Sequence, residues 1–436
     1  MTEEKWKYEL TVDFIMIVAK YFKTSKDFVN VMKVCKKYEE LVSMYHFNPI
    51  SDHSLFENIE TQHFYNEKDV ENKKENLYQY IYWNKKYKRG EIIKENEIIK
   101  GLVYNTKEIV NGNYGIDIPE NATKICSDEN NIHIHNNIKN VKFSNKLKEI
   151  GDWFLSGSKI NNIKIPEGVT RIGNNSFSNC SELTNITLPS SLNSLDSFSF
   201  SNTKIKTIII PKGVTNISES SFEYCSELTN ITLPETLKEI GDYAFKLSNI
   251  KSIVIPEGVT RVGEWSFNDC SRLTNVILPS SLIEIGARAF SNIKITSIII
   301  PDSVTKLGMR CFYCCPQLTN IKLSNSLKEL PEELFNHCGI ITINIPEGIT
   351  KIDNKCFYFC NYLISINLPK SLKILGRLVF GSTAIKNITL FQNIDEIGEE
   401  CFKYCPNLVK IFIYNYKESF YNVLTESGAQ ILYLSN

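Results

Sequence analysis

Thirteen cysteines and six histidines are the side chains of this 436-residue protein with the widest chemical reach. Cys180, Cys225, Cys270, Cys315, Cys360 and Cys405 stand 45 residues apart throughout, and Cys311, Cys356 and Cys401 add a Cys-x-x-x-Cys pair to each of the last three. Thiols in such numbers could close disulfides or ligate zinc. A zinc site needs four converging ligands, whereas these pairs recur along a repeat and do not face one another. His133 and His135 would share one face of a strand, but no third ligand accompanies them; His46, His53, His63 and His337 are scattered. Glu332-Glu333 and Glu399-Glu400 fall at turns, where paired carboxylates read as solvated charge. Glycine loops that cradle phosphate, nucleophile elbows and metalloprotease helices are all missing from the sequence. We therefore expect no enzyme, no metal site and no cofactor.

The elements that carry these residues explain their spacing. Phe154, Phe177, Phe200, Phe222, Phe245, Phe267, Phe290, Phe312, Phe335, Phe357, Phe380 and Phe402 lie 22 or 23 residues apart. One turn of that length cannot bury its own apolar face, so successive turns must stack and share a core. Strands of the form Ile-x-Ile-Pro or Ile-x-Leu-Pro recur in step, from Ile163-Lys164-Ile165-Pro166 to Ile366-Asn367-Leu368-Pro369. Proline removes a backbone donor and ends each strand. An Ile-Gly step follows, as at Ile240-Gly241 and Val262-Gly263, where glycine would permit a tight or positive-φ bend. From Phe177 onward the steps alternate between 23 and 22 residues, which makes 45 the larger period. The expected fold is a β-rich solenoid of alternating 22- and 23-residue turns with a small α-helical N-terminal domain. Cysteines two turns apart would then be ~10 Å apart at the ~4.8 Å strand spacing, too far for a disulfide. They read as small buried hydrophobes.

Four regions follow from the pattern. Residues 1–90 lack the repeat and are expected to be helical, with helices within 10–45 and a third over Glu71 to Tyr87. Residues 91–140 are strand-like and irregular, with Gly115-Ile-Asp-Ile-Pro119 as a degenerate repeat, and would cap the open end of the core. The solenoid proper covers 141–414. A C-terminal cap over 415–436 is expected to be helical from Tyr416 to Ser427 and extended from Gln430 to Leu434.

Composition limits the partners. Forty-nine basic and 49 acidic side chains give a net charge of zero, so no basic face is available to release phosphate counterions from a nucleic acid. The run Lys85-Lys86-Tyr87-Lys88-Arg89 reads as a solvated turn. No apolar stretch is long enough to span a membrane, and charged residues occupy the place of a secretory signal. Asn185-Ile-Thr187, Asn230-Ile-Thr232 and Asn387-Ile-Thr389 would put glycans on strands, which favours a chain that stays cytoplasmic. Peripheral attachment to the plasma membrane, or the cell surface reached by unconventional export, is the alternative.

Strand alternation points the middle residue of each Ile-x-Ile outward. At the centre of the array those residues are Ile209, Thr232, Val254, Ile277 and Ile299, followed by Lys322. Exposed apolar groups in a contiguous row mark a protein-binding surface. The residues just before each strand's first isoleucine are almost all amide or hydroxyl, from Asn162 to Asn387.

The unit Leu-Thr-Asn-Ile-Thr-Leu-Pro-x-x-Leu-x-x-Ile-Gly-x-x-Ala-Phe, nearly complete from Leu228 to Phe245, resembles the BspA-like leucine-rich repeat. That resemblance implies a leucine-rich-repeat solenoid used for protein binding, with an adhesin role on the cell surface in several bacterial relatives. The Asn-, Lys- and Ile-rich composition is similar to that of Entamoeba-type protist members. Leu10 to Phe22, followed by Asp27 to Lys37, resembles an F-box, with Thr11 where that family has proline after its first leucine. This second resemblance implies docking of a Skp-type adaptor through Leu10, Phe14, Val18, Phe22, Val34 and Cys35, and a role as substrate receptor of a ubiquitin ligase.

Overall fold

The computed structural model describes residues 135–414 and 417–434 without interruption, 115–127 and 129 ahead of them, and short strands between 61 and 111. Two compact units emerge: residues 1–110 with 118–125, and residues 111–117 with 126–436.

In the first unit, Thr61–Phe64, Gln79–Tyr82 and Glu97–Ile99 form a parallel sheet in that order, and Lys85–Lys86 pairs with Leu102–Asn105. The helix expected over Glu71 to Tyr87 is therefore absent from 79–82 and 85–86, which are strands. The helices expected within 10–45 lie outside the described residues.

The second unit is a coil of stacked turns, each built from three sides. One side carries the expected strands, twelve in number, from Asn162–Lys164 to Lys410–Ile413. A second carries two-residue strands such as Glu239–Ile240 and Arg261–Val262, paired parallel with Glu239 opposite Arg261. The third side has no strands. Its residues Tyr243, Phe245 and Leu247 donate backbone hydrogen bonds of 2.8, 2.8 and 2.9 Å to Glu264, Ser266 and Asn268 in the next turn. Those bonds go with a left-handed residue two places before and after each core phenylalanine from Phe177 to Phe402, so Tyr243 sits at φ 56° and Leu247 at φ 58°; in the turn of Phe154 the left-handed positions are Trp153 and Gly157. The pattern recurs at 23 non-glycine residues, each costing roughly 1–2 kcal/mol of backbone strain. Hydrogen bonds that run from turn to turn offset that cost, because each satisfies a backbone group that the coil would otherwise bury.

All twelve phenylalanines of the column are buried, and neighbouring rings from Phe177 to Phe402 stack with centroids 5.2–5.9 Å apart. The Ile-Gly glycines do not adopt positive φ. What demands glycine there is close approach: a Cβ on Gly263 would lie 2.5 Å from the carbonyl carbon of Gly241 and 2.6 Å from the nitrogen of Asp242. Positive φ occurs instead after the strand, at Gly168, Gly258 and Gly348, each with φ +95°. At the far end Glu418–Phe420 and Tyr421–Thr425 form short helical turns, and Gln430–Tyr433 pairs in parallel with Lys410–Ile413.

Candidate functional site

A strand held at one side of a stacked coil must send alternate residues inward and outward. Ile208 and Ile210 are buried, and Ile209 between them is 72% exposed. Val254, Ile277 and Ile299 are 60, 50 and 65% exposed, and Thr232 and Lys322 are exposed in the same row. All six residues expected to form the surface thus lie on successive strands of one face. Register pairs Ile209 with Thr232, Val254 with Ile277 and Ile299 with Lys322. Beside them runs the exposed polar column Thr207, Asn230, Ser252, Asn275, Ser297. Further along it, Asn185 Nδ2 donates to Asn162 Oδ1 at 2.7 Å.

Alternation of step length has a consequence that periodicity alone did not reveal. Strands separated by 23 residues, such as 207–209 and 230–232, form a ladder; those separated by 22, such as 185–187 and 207–209, do not. Only Lys206 N–H reaches Thr184 O across the latter gap, at 3.2 Å. The face is consequently a row of two-stranded ribbons with clefts between them. Three clefts, of about 600, 650 and 440 Å³, open between Thr187 and Ile209, between Thr232 and Val254, and between Ile277 and Ile299. The missing residue lies in the loop before the strand: Phe222 precedes Leu228 by six residues, and Phe245 precedes Ile250 by five.

Carboxylates edge the clefts on the side where the strands end. Glu167 lines the first, Glu235 and Glu257 the second, and Glu257 also the third. Ser280 donates its backbone N–H to Glu257 Oε1 at 3.0 Å and its hydroxyl to Oε2 at 3.1 Å. These bonds hold the Glu257 carboxyl below its usual range, so it is a fixed negative charge.

On the third side the left-handed residues Tyr224, Tyr243 and Trp265 reach the surface and build a feature that composition did not announce. Lys246 Nζ lies 5.1 Å from the Tyr243 ring centroid, 5.7 Å from that of Trp265 and 5.6 Å from that of Tyr224, and pairs with Glu223 at 3.1 Å. Because the ammonium is already satisfied by its own neighbours, this cluster ties turns together. Its only sequence signal is an aromatic two places before the core phenylalanine.

The repeat cysteines are used in packing. All six cysteines of the 45-residue column are free and buried, whereas Cys126 and Cys314, outside the column, are partly exposed; the column thiols donate to backbone carbonyls, as from Cys225 to Phe200 O at 3.1 Å. Cys338 stands one turn, not two, from both Cys315 and Cys360, and it too donates to a carbonyl, Phe312 O at 3.0 Å. His337 stacks on Phe359 at 4.6 Å, and His135 is buried. Glu333, expected to be solvated, is only 5% exposed. Burial alone would raise its pKa, but the Arg310 guanidinium, 2.9 Å away, and Lys355 hold the carboxyl below the usual range. Among the described residues no group of three or more His, Cys, Asp or Glu side chains is placed to hold a metal, and no helix is long and apolar enough to cross a membrane. Leu10, Phe14, Val18, Phe22, Val34 and Cys35 lie outside the described residues.

A model of the BspA type leucine rich repeat region matches this chain in six copies, over residues 112–228, 198–316 and 284–409. The crystal structure of a leucine-rich repeat protein from Bacteroides ovatus ATCC 8483 is similar at 26% identity and a TM-score of 0.60, covering 74% of this chain and 92% of that one. A leucine rich cell surface protein from Faecalibacterium prausnitzii A2-165 is similar at 26% identity and a TM-score of 0.46, over 73% of this chain and 91% of its own. No curated protein matches.

Proposed function

This chain belongs to the BspA-type leucine-rich-repeat family, and from that premise we propose that it is a non-enzymatic scaffold that binds a protein through its outer strand face. The observation that carries this reading is the exposed apolar row Ile209, Val254, Ile277 and Ile299, with Thr232 among them. Burying one such aliphatic side chain is worth about 1.5–3 kcal/mol, and a few well-placed anchors dominate most interfaces. Backbone rigidity lowers the entropy lost on binding. Twelve strands at ~4.8 Å make the presented surface ~50 Å or more long.

Affinity capture with the intact protein, compared with the double substitution Val254→Asp and Ile277→Asp, tests this. Both side chains are outside the core, so the variant should keep its circular dichroism and melting temperature while losing the partner. Equal capture by a folded variant would reject the surface.

Adaptor docking is a second proposal, resting on the resemblance of Leu10 to Lys37 to an F-box. In that arrangement the N-terminal region engages a Skp-type adaptor and the strand face selects the target. A cytoplasmic location agrees with it. Antibody staining of intact cells would instead favour an adhesive role at the cell surface.

A further inference from the structure

The clefts, more than the apolar row itself, restrict what the partner can be. They open at every second turn, 45 residues apart in sequence, and therefore ~10 Å apart along the coil at ordinary strand spacing. We propose that the face takes a polyproline-II segment of a partner protein, lying along the coil with an apolar side chain at every third residue entering successive clefts and basic side chains toward the carboxylate edge. The proposal rests on the strand face being the binding surface.

Three observations select this conformation. A polyproline-II chain returns to the same face every third residue, a repeat of ~9.3 Å, close to the cleft spacing. A fully extended strand returns every second residue, at ~6.8 Å, and falls out of step by the second cleft. An α-helix comes back into step after seven residues, at ~10.5 Å, but its backbone groups are bonded to one another. This face offers backbone-directed chemistry in two forms: strand edges without ladder bonds at each cleft, and the exposed column Thr207, Asn230, Ser252, Asn275 and Ser297 beside it. Polyproline-II leaves its carbonyls unpaired and can accept from those amides and hydroxyls. Charge adds direction. Glu235 and Glu257 are the only charged side chains lining the second and third clefts, whereas Lys212 joins Glu167 at the first.

Three synthetic probes matched in length, leucine count and net charge decide it, with binding to the full chain read by fluorescence anisotropy. One is proline-rich with leucine at every third position and flanking arginines. Another moves the leucines to every second position, and the last is an amphipathic helix with a seven-residue repeat. We expect the first to bind, and the second to bind about tenfold more weakly or worse, a loss of one decade in Kd. Binding of the first should weaken in Val254→Asp, and its salt dependence should shrink in the double variant Glu235→Gln and Glu257→Gln, which leaves the core untouched. Tighter binding of the helical probe, blocked by Val254→Asp, would overturn the conformation and leave the surface standing. Failure of all three probes, with partner capture still lost in the Val254→Asp and Ile277→Asp variant, would likewise sink polyproline-II alone. Capture unaffected by that variant would sink both.

Discussion

The thiol of Cys270 donates a 3.1 Å hydrogen bond to the carbonyl oxygen of Phe245, the core ring of the preceding turn. The same bond joins Cys315 to Phe290, Cys360 to Phe335 and Cys405 to Phe380, at 3.2, 3.0 and 2.9 Å. In the 23-residue turns the cysteine column therefore fastens each turn to the one before it.

Removing that thiol takes one of two hydrogen bonds from the Phe245 carbonyl, which still accepts from Ser248 N–H at 3.0 Å, deprives the buried Ser248 hydroxyl of its 3.3 Å partner, and leaves a small cavity. Cys270→Ala should destabilise by about 1–3 kcal/mol, whereas Cys270→Ser, which keeps a donor, should cost less. Urea or thermal unfolding of the two variants decides it. Equal losses would mean that the thiol acts through volume alone.

Burial has raised these thiols far above the ordinary value of 9.0: Cys180, Cys270 and Cys360 to about 12 and Cys225 to about 11. An unfolded chain ionises them first as the solution becomes alkaline, so it binds fewer protons than the folded one and stability falls with pH. The contribution is complete below pH 9.0 and is lost toward about pH 12. Melting temperature should fall through that window, with a shallower slope in Cys270→Ser than in the wild type; identical slopes would refute the assignment. A thiol reagent near neutral pH should find the half-buried Cys314 before the buried column.

Gly263→Ala would set a methyl group against the backbone of Gly241 and Asp242, which has no freedom to yield. Overpacking of this kind costs about 1–3 kcal/mol. At Gly115 the nearest atom to an added Cβ is 3.9 Å away, so Gly115→Ala should be nearly silent. Asp196, Ser218, Pro331 and Asp353 occupy the equivalent place in other turns, which makes the requirement local to stretches such as 241–308. Similar melting temperatures for the two glycine variants would contradict it.

If the N-terminal region docks a Skp-type adaptor, purified adaptor should be retained by the wild type and lost on Leu10→Asp with Phe14→Asp. The strand-face variant Val254→Asp should retain it. Absence of retention by the wild-type chain would end the F-box reading.

Repetition made much of the fold legible in the sequence. Phenylalanine at a fixed interval forces stacking, the Ile-x-Ile pattern sets which side of each strand is buried, and proline marks where the strand stops. Those rules put Ile209, Val254, Ile277 and Ile299 on the outside, where the structure has them. The third side was not legible, because its left-handed positions hold residues as unlike as Asn175, Trp265, Arg288 and Leu378. Asparagine tolerates that conformation, but no local preference makes Trp265, Arg288 or Leu378 left-handed; bonds to the next turn impose it. Nor did the pattern distinguish a ribbon from a cleft. The alternation of 22 and 23 residues is plain in the sequence, but whether a one-residue difference is absorbed by a loop or breaks a ladder depends on where the adjacent turn holds its donors and acceptors. Sequence by itself determined the stack, its core and its outward row, since these follow from side-chain periodicity. Tertiary structure decided the left-handed ladder, the close glycine contacts and the clefts, since each is a relation between backbones of neighbouring turns that no single repeat encodes.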